Sequence, residues 1–168
     1  MQDDDLVALE VLGVRRHPGD DALVVLLLEP VGELIVPIAV GAAEAGAIAT
    51  AQAGVVPPRP MTHDLLRDVL LTLQVPISRV EITALVDGVF HAALVLDRGL
   101  RVDSRASDAI ALAVRVGCPV MCATEVLATV GVVASPARPV GDPEAEVARF
   151  RTFLDQVEPG DFGPGTQA

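Results

Sequence analysis

Three short segments carry side chains able to do chemistry: Gly41–Glu44, Arg59–Asp64 and Asp103–Asp108. The middle one belongs to the run Pro57-Pro58-Arg59-Pro60-Met61-Thr62-His63-Asp64-Leu65-Leu66. Proline fixes φ and removes backbone donors, so Arg59 rides on a stiff strut rather than a loose loop. Thr62 has the position of a helix N-cap, which places His63 and Asp64 in a first turn whose backbone N–H groups point outward. Asp103-Ser104-Arg105-Ala106-Ser107-Asp108 packs a carboxylate, a guanidinium, hydroxyls and a second carboxylate into one helix approach. If the segments converge, Glu44, Asp64 and Asp108 could hold a divalent metal, Mg or Mn, through oxygen ligands. Arg59 and Arg105, with Ser107, could then clamp a phosphodiester. An imidazole exchanges protons near neutral pH, so His63 could act as general base or as acid toward the leaving group, beside Asp64 and Asp108.

Each residue also has a plain structural explanation. Ser107 could cap a helix, Asp108 complement its dipole, and Arg105 pair with Asp103. Thr62, His63 and Asp64 could be no more than a capped helix start, and a single acid such as Glu44 in a first turn is unremarkable. His91 reads as a strand-face residue and His17 as a solvated turn residue. The spacing contains no closed ligand motif. The coincidence of three acidic helix starts with two nearby arginines is what lifts the set above these explanations.

The elements that must position these residues can be read from periodicity. Leu6–Arg16, Ala22–Glu29 and Glu33–Val40 read as strands, the second so continuously apolar that it should be covered on both faces. Ala42–Ala53 reads as an alanine-rich helix ended by Gly54, and Thr62–Gln74 as a helix with Leu65, Leu66, Val69, Leu70 and Leu73 on one core-facing stripe. Arg79–Val86 and Val89–Asp97 form a hairpin around Asp87-Gly88. Leu100–Asp103 is a short strand, Ser107–Val116 a helix stopped at Gly117-Cys118-Pro119, Val120–Cys122 a short strand and Thr124–Val130 a short helix. Residues 1–133 thus form one α+β domain, a mixed β-sheet with packed helices. Residues 134–141 are a linker, 142–157 a C-terminal helix and 158–168 a disordered tail. The order three strands then helix occurs around residues 6–53 and again around 79–116, suggesting a duplicated βββα unit with Glu44 and Asp108 at equivalent helix starts.

Composition narrows the function. The 168 residues carry a net charge of −11, and all 12 basic residues are arginine. That balance argues against a broad electrostatic grip on nucleic acid, so such a partner would need a local arginine cluster. With lysine absent, no lysine can serve as nucleophile or base. Hydrophobic residues make up 51% of the chain, almost all aliphatic, which points to a homo-oligomer burying part of that surface. No apolar run reaches the length of a membrane span, and the acidic N-terminus is unlike a secretory signal, so the chain reads as cytoplasmic. Cys118 and Cys122 are too far apart along a strand for a disulfide, cannot complete a zinc site without His or carboxylate help, and read as free thiols.

At the segments already singled out, the chain resembles the bifunctional nuclease domain family. The matching residues are Leu34–Gly41 followed by Glu44-Ala45, the Pro57–Leu66 run, Val80–Phe90, and Asp103–Arg115 ending in Gly117-Cys118-Pro119. The resemblance covers about residues 6–133 and implies an α+β domain and, from plant members, hydrolysis of both DNA and RNA. Glu44, Arg59, His63, Asp64, Arg105, Ser107 and Asp108 all match. Ala106 stands where the family favours proline, and Ala39 and His91 replace aromatics that could stack on bases. Many bacterial members carry a C-terminal motif of the UvrB/UvrC type; this chain has the 142–157 segment in its place, so that partner is not implied. Two functions from different classes follow: a metal-assisted nuclease, and a non-catalytic anion-binding or regulatory module that uses the same polar cluster.

Overall fold

The computed structural model describes residues 5–17 and 21–133. By internal contacts the chain divides into two units, Met1–Ala134 and Ser135–Ala168, and every described element belongs to the first. The expected linker, C-terminal helix and tail lie outside the described residues.

The first unit is α+β: a mixed eight-stranded sheet with four helices. Strands β1 (Leu6–Arg16), β2 (Leu23–Glu29) and β3 (Leu34–Val40) form an antiparallel meander. Helices α1 (Ala42–Gln52) and α2 (Thr62–Thr72) follow. A second meander is built from β4 (Ile77–Val86), β5 (Val89–Leu96) and β6 (Arg101–Arg105), with a 3₁₀ turn at Asp97–Gly99 before its last strand. Then come α3 (Ala106–Val116), β7 (Val120–Ala123), α4 (Thr124–Val130) and the two-residue β8 (Val132–Val133). The strand order is β6-β5-β4-β7-β1-β2-β3-β8, so β7 lies between the two meanders. It pairs antiparallel with β1 and parallel with β4, the one parallel pair among the described residues.

The packing follows from alternation. In β2, Val25 and Leu27 are fully buried while Val24, Leu26 and Leu28 are only partly covered, so the strand is sealed on one face rather than on both as its continuous apolar run suggests. α1 and α3 lie against each other and against the sheet; Ala45, Ala47, Ala109 and Ala113 let the two backbones approach closely around Ile48 and Ile110. The Asp87-Gly88 turn has both residues at positive φ, the geometry a two-residue hairpin requires. Gly117 ends α3 in the left-handed region with its N–H donated to Ala113 O, as its position beyond the apolar stripe indicates.

Boundaries shift by one or two residues elsewhere. β6 runs on through Arg105, making Arg105 rather than Ser107 the N-cap of α3. Met61, not Thr62, is the N-cap of α2. A larger correction concerns the α2 stripe. Leu70 packs against the core, but Leu65, Leu66, Val69 and Leu73 are exposed, and Asp64 is the buried residue of the helix. Among the cysteines, Cys122 is buried and Cys118 half-buried, both free, and burial pushes the Cys122 thiol up to about 11.

Candidate functional site

The acids Glu44, Asp64 and Asp108 occupy the same position, the third residue, of α1, α2 and α3. Carboxylates are favoured there by the unsatisfied N–H groups and the helix dipole. Helix direction, however, sends them to different places.

Glu44 and Asp108 converge on Arg105. The Arg105 Nη2 lies 3.0 Å from Glu44 Oε1, and its Nε donates to Asp108 Oδ2 at 2.6 Å. These are the contacts that take the place of the Arg105–Asp103 pair expected from sequence. Gly41 makes room for this arrangement, because a Cβ there would stand 2.5 Å from Glu44 Oε2. The guanidinium is 67% exposed yet gripped by two carboxylates, which raise its pKa above the ordinary arginine value, Asp108 most of all.

Asp108 also reaches α2: its Oδ1 is 3.0 Å from His63 Nε2. Burial alone would raise the Asp108 pKa, but the hydrogen bonds from Arg105 and His63 outweigh it and hold the carboxyl below its usual range. An ionised carboxylate can only accept, so the proton of a neutral His63 resides on Nε2 and Nδ1 keeps its lone pair. His63, Asp108, Arg105 and Glu44 together line a cleft of about 730 Å³, whose apolar walls include Leu66, Leu94, Val102 and Leu112. Asp103 lines the same cleft. A neighbouring groove of about 410 Å³ shares Glu44 and Arg105 with it and adds Ser107 and Phe90.

Asp64 does not join them. Its Oδ2 accepts the Met61 N–H at 3.0 Å and its Oδ1 accepts Arg115 Nε at 2.7 Å. The Arg115 hydrogen bond is the largest influence on Asp64 and holds its carboxyl below the usual range against the opposing effect of burial. Asp64 faces a separate pocket lined by Val55, Val56 and Arg115. Arg59 is exposed on its proline strut and makes no hydrogen bond or ion pair among the described residues. Ser107 is half-buried, in the groove beyond Arg105. Among the described residues, no group of three or more His, Cys, Asp or Glu is disposed to hold a metal ion.

Sequence reasoning missed Arg115 as the partner of Asp64. In sequence, an arginine in the last turn of α3 reads as a partner for the helix dipole; only its burial, with 4% of the side chain exposed, shows that it meets an anion. It also missed the apolar walls, since Leu94, Val102 and Leu112 look like ordinary core residues until the cleft is assembled.

A family model described as the bifunctional nuclease domain matches residues 25–135. The chain belongs to that family. The match begins inside β2 and runs past β8, so it contains every residue of the cleft and of the Asp64–Arg115 pair. Two relatives of this bifunctional nuclease domain chain come from strains of Mycobacterium tuberculosis, the uncharacterized proteins MT1877 and Rv1829. Each is 40% identical over 158 residues, spanning 92% of this chain and 96% of its own length. The similarity therefore extends well beyond the family match. No helix among the described residues is long and apolar enough to cross a membrane.

Proposed function

We propose that this protein is a nuclease, hydrolysing a phosphodiester bond of DNA or RNA in the cleft between α1, α2 and α3. The observation that carries this reading is the His63–Asp108–Arg105 chain: an imidazole 3.0 Å from a carboxylate that is itself bonded at 2.6 Å to an exposed guanidinium, all lining one cleft. Asp108 fixes the His63 tautomer and steadies the imidazolium that forms, leaving Nδ1 as the site that takes a proton from water as the water oxygen attacks phosphorus; the P–O bond to the sugar breaks and the departing oxygen takes its proton from solvent. Arg105 retains Nη1, which makes no hydrogen bond among the described residues, and offers it to a phosphoryl oxygen as charge develops. Ser107 and Phe90 extend the contact along a strand of nucleic acid through the adjoining groove.

The donors as arranged do not fit a divalent ion shared by Glu44, Asp64 and Asp108. Both oxygens of Asp64 and both of Asp108 already accept hydrogen bonds, and Asp64 faces another pocket. The steps above therefore rest on side chains alone. The same satisfied carboxylates favour the second reading, a non-catalytic module in which Arg105 and His63 hold an anionic ligand.

The discriminating experiment incubates the full chain with single- and double-stranded DNA and RNA, in magnesium, in manganese and in chelator. Cleavage that falls by about 10²–10⁴ in both His63→Ala and Asp108→Asn supports the nuclease. Cleavage unchanged in both variants removes it, and the absence of cleavage in every metal condition leaves the binding module.

A further inference from the structure

The apolar face of α2 points away from its own domain. Its eleven residues run from Thr62 to Thr72; the helix meets α3 through Asp64 and His63, and Leu70 packs against the core, while Leu65, Leu66 and Val69 are turned to solvent together with Leu73 at its C-cap. Val69, at the middle of the stripe, is 43% exposed and Leu73 is 65% exposed. Half of the large apolar side chains exposed among the described residues fall between Val55 and Leu73, a small part of the chain. Scattered surface leucines need no explanation, but a concentrated amphipathic stripe on one helix marks a surface that something covers.

We propose that a second copy of this chain covers it, with α2 packing antiparallel against α2 about a two-fold axis near Val69. Three observations select this occupant. Leu65, Val69 and Leu73 recur at four-residue intervals, so the stripe reads alike in both directions: an antiparallel copy sets Leu65 against Leu73 and Val69 against itself. A self-complementary patch of this kind is what an isologous interface requires. The charged residues of the helix are engaged within the chain, Asp64 with Arg115 and Arg67 with Asp68. Two copies of a protein with net charge −11 can therefore meet here without bringing unpaired acids together. The same helix lacks the basic flank that an amphipathic helix uses to lie on an anionic membrane: its one arginine is already paired.

Eleven residues make a helix about 16 Å long, too little by itself for the roughly 800 Å² per partner of a stable interface. Val55 and Val56 at its approach, and Val102 in the cleft that Leu66 also lines, add exposed apolar surface. Because Met61 and Leu66 also line the cleft, the partner would stand at the cleft rim. The interface does not depend on whether that cleft cleaves nucleic acid.

The test is sedimentation velocity of the full chain across a concentration series. The expected species has twice the 17.4 kDa of the chain, or a larger even multiple. Val69→Asp and Val69→Lys should each abolish the α2-mediated association while keeping the wild-type circular dichroism spectrum, because the side chain is not part of the core. A mixture of the two should re-associate, since the substituted residues then face each other with opposite charge. A wild-type chain that stays monomeric throughout overturns the proposal, as does a Val69→Asp chain that keeps the wild-type mass. A monomer that instead pellets with phosphatidylglycerol vesicles, and fails to do so as Val69→Asp, also overturns it and assigns the face to lipid.

Discussion

At the scale of single residues, the decisive pairings are those of acids with arginines. Asp64 and Arg115 tie the start of α2 to the end of α3, with both side chains largely buried. Removing one partner of such a pair strands the other charge in a poorly solvated place, which typically costs about 3–5 kcal/mol. Arg115→Met is therefore expected to lower stability at neutral pH by about 3 kcal/mol, measured by denaturant unfolding. The pH dependence has a definite sign. Asp64 has a folded pKa below its unfolded value, so its contribution is fully present above the ordinary aspartate range and is lost as pH falls through the depressed folded value. The gap between wild type and Arg115→Met should accordingly narrow in acid. A gap that stays constant down to the acid transition would show that Asp64 is not the group responsible.

Glu81 obeys the same logic on the sheet. It is completely buried and is held by Arg79 Nε at 2.7 Å and Arg101 Nη2 at 2.5 Å. Burial would raise its pKa, but the bonds from Arg101 and Arg79 prevail and lower it. Nothing in the chain's local pattern marks Glu81, because a glutamate between Val80 and Ile82 looks like an ordinary alternating position.

At the scale of elements, the position of each helix start decides which acid reaches the cleft. Gly41 is the clearest case, since its missing side chain is the space that Glu44 fills. Gly41→Ala should displace the Glu44 carboxylate and loosen its 3.0 Å contact with Arg105. Arg105 is mostly solvated, so the effect on the proposed nuclease should be a small rise in KM for a nucleic-acid substrate with kcat near wild type. The check is steady-state kinetics alongside a melting curve, with the latter nearly unchanged.

Elements are the most legible level in the sequence. Alternation, the Asp87-Gly88 turn and the Gly117 stop mark the strands, hairpin and helix ends because each rests on local backbone chemistry. The α2 stripe misleads for an equally physical reason. Periodicity reports that a helix has an apolar face but is silent about what that face meets. Glu44, His63, Arg105 and Asp108, grouped by residue type at helix starts, do meet in space. Asp64 falls into the same group because identical helix positions look equivalent until the helix axes are known.

At the scale of the whole molecule, the charge balance limits how any nucleic acid is held. Against a net charge of −11, Arg105 lines the candidate cleft and Arg59 stands two residues before Met61, which lines it too. Two phosphate contacts release few counterions, so the logarithm of affinity should fall against the logarithm of salt with a slope of magnitude about 2 or less. A fluorescence-anisotropy titration across salt concentrations measures it. A much steeper slope would mean that binding uses arginines elsewhere on the surface.

The place of β7 carries one more consequence. Its four residues stitch Leu6–Leu9 on one side to Val80–Ile82 on the other. Without Val120–Ala123 in place, Leu6–Leu9 and Val80–Ile82 would each present a raw row of unpaired backbone amides and carbonyls. Such borders invite pairing with the wrong neighbour. Displacing this one short strand would therefore open two such borders at once.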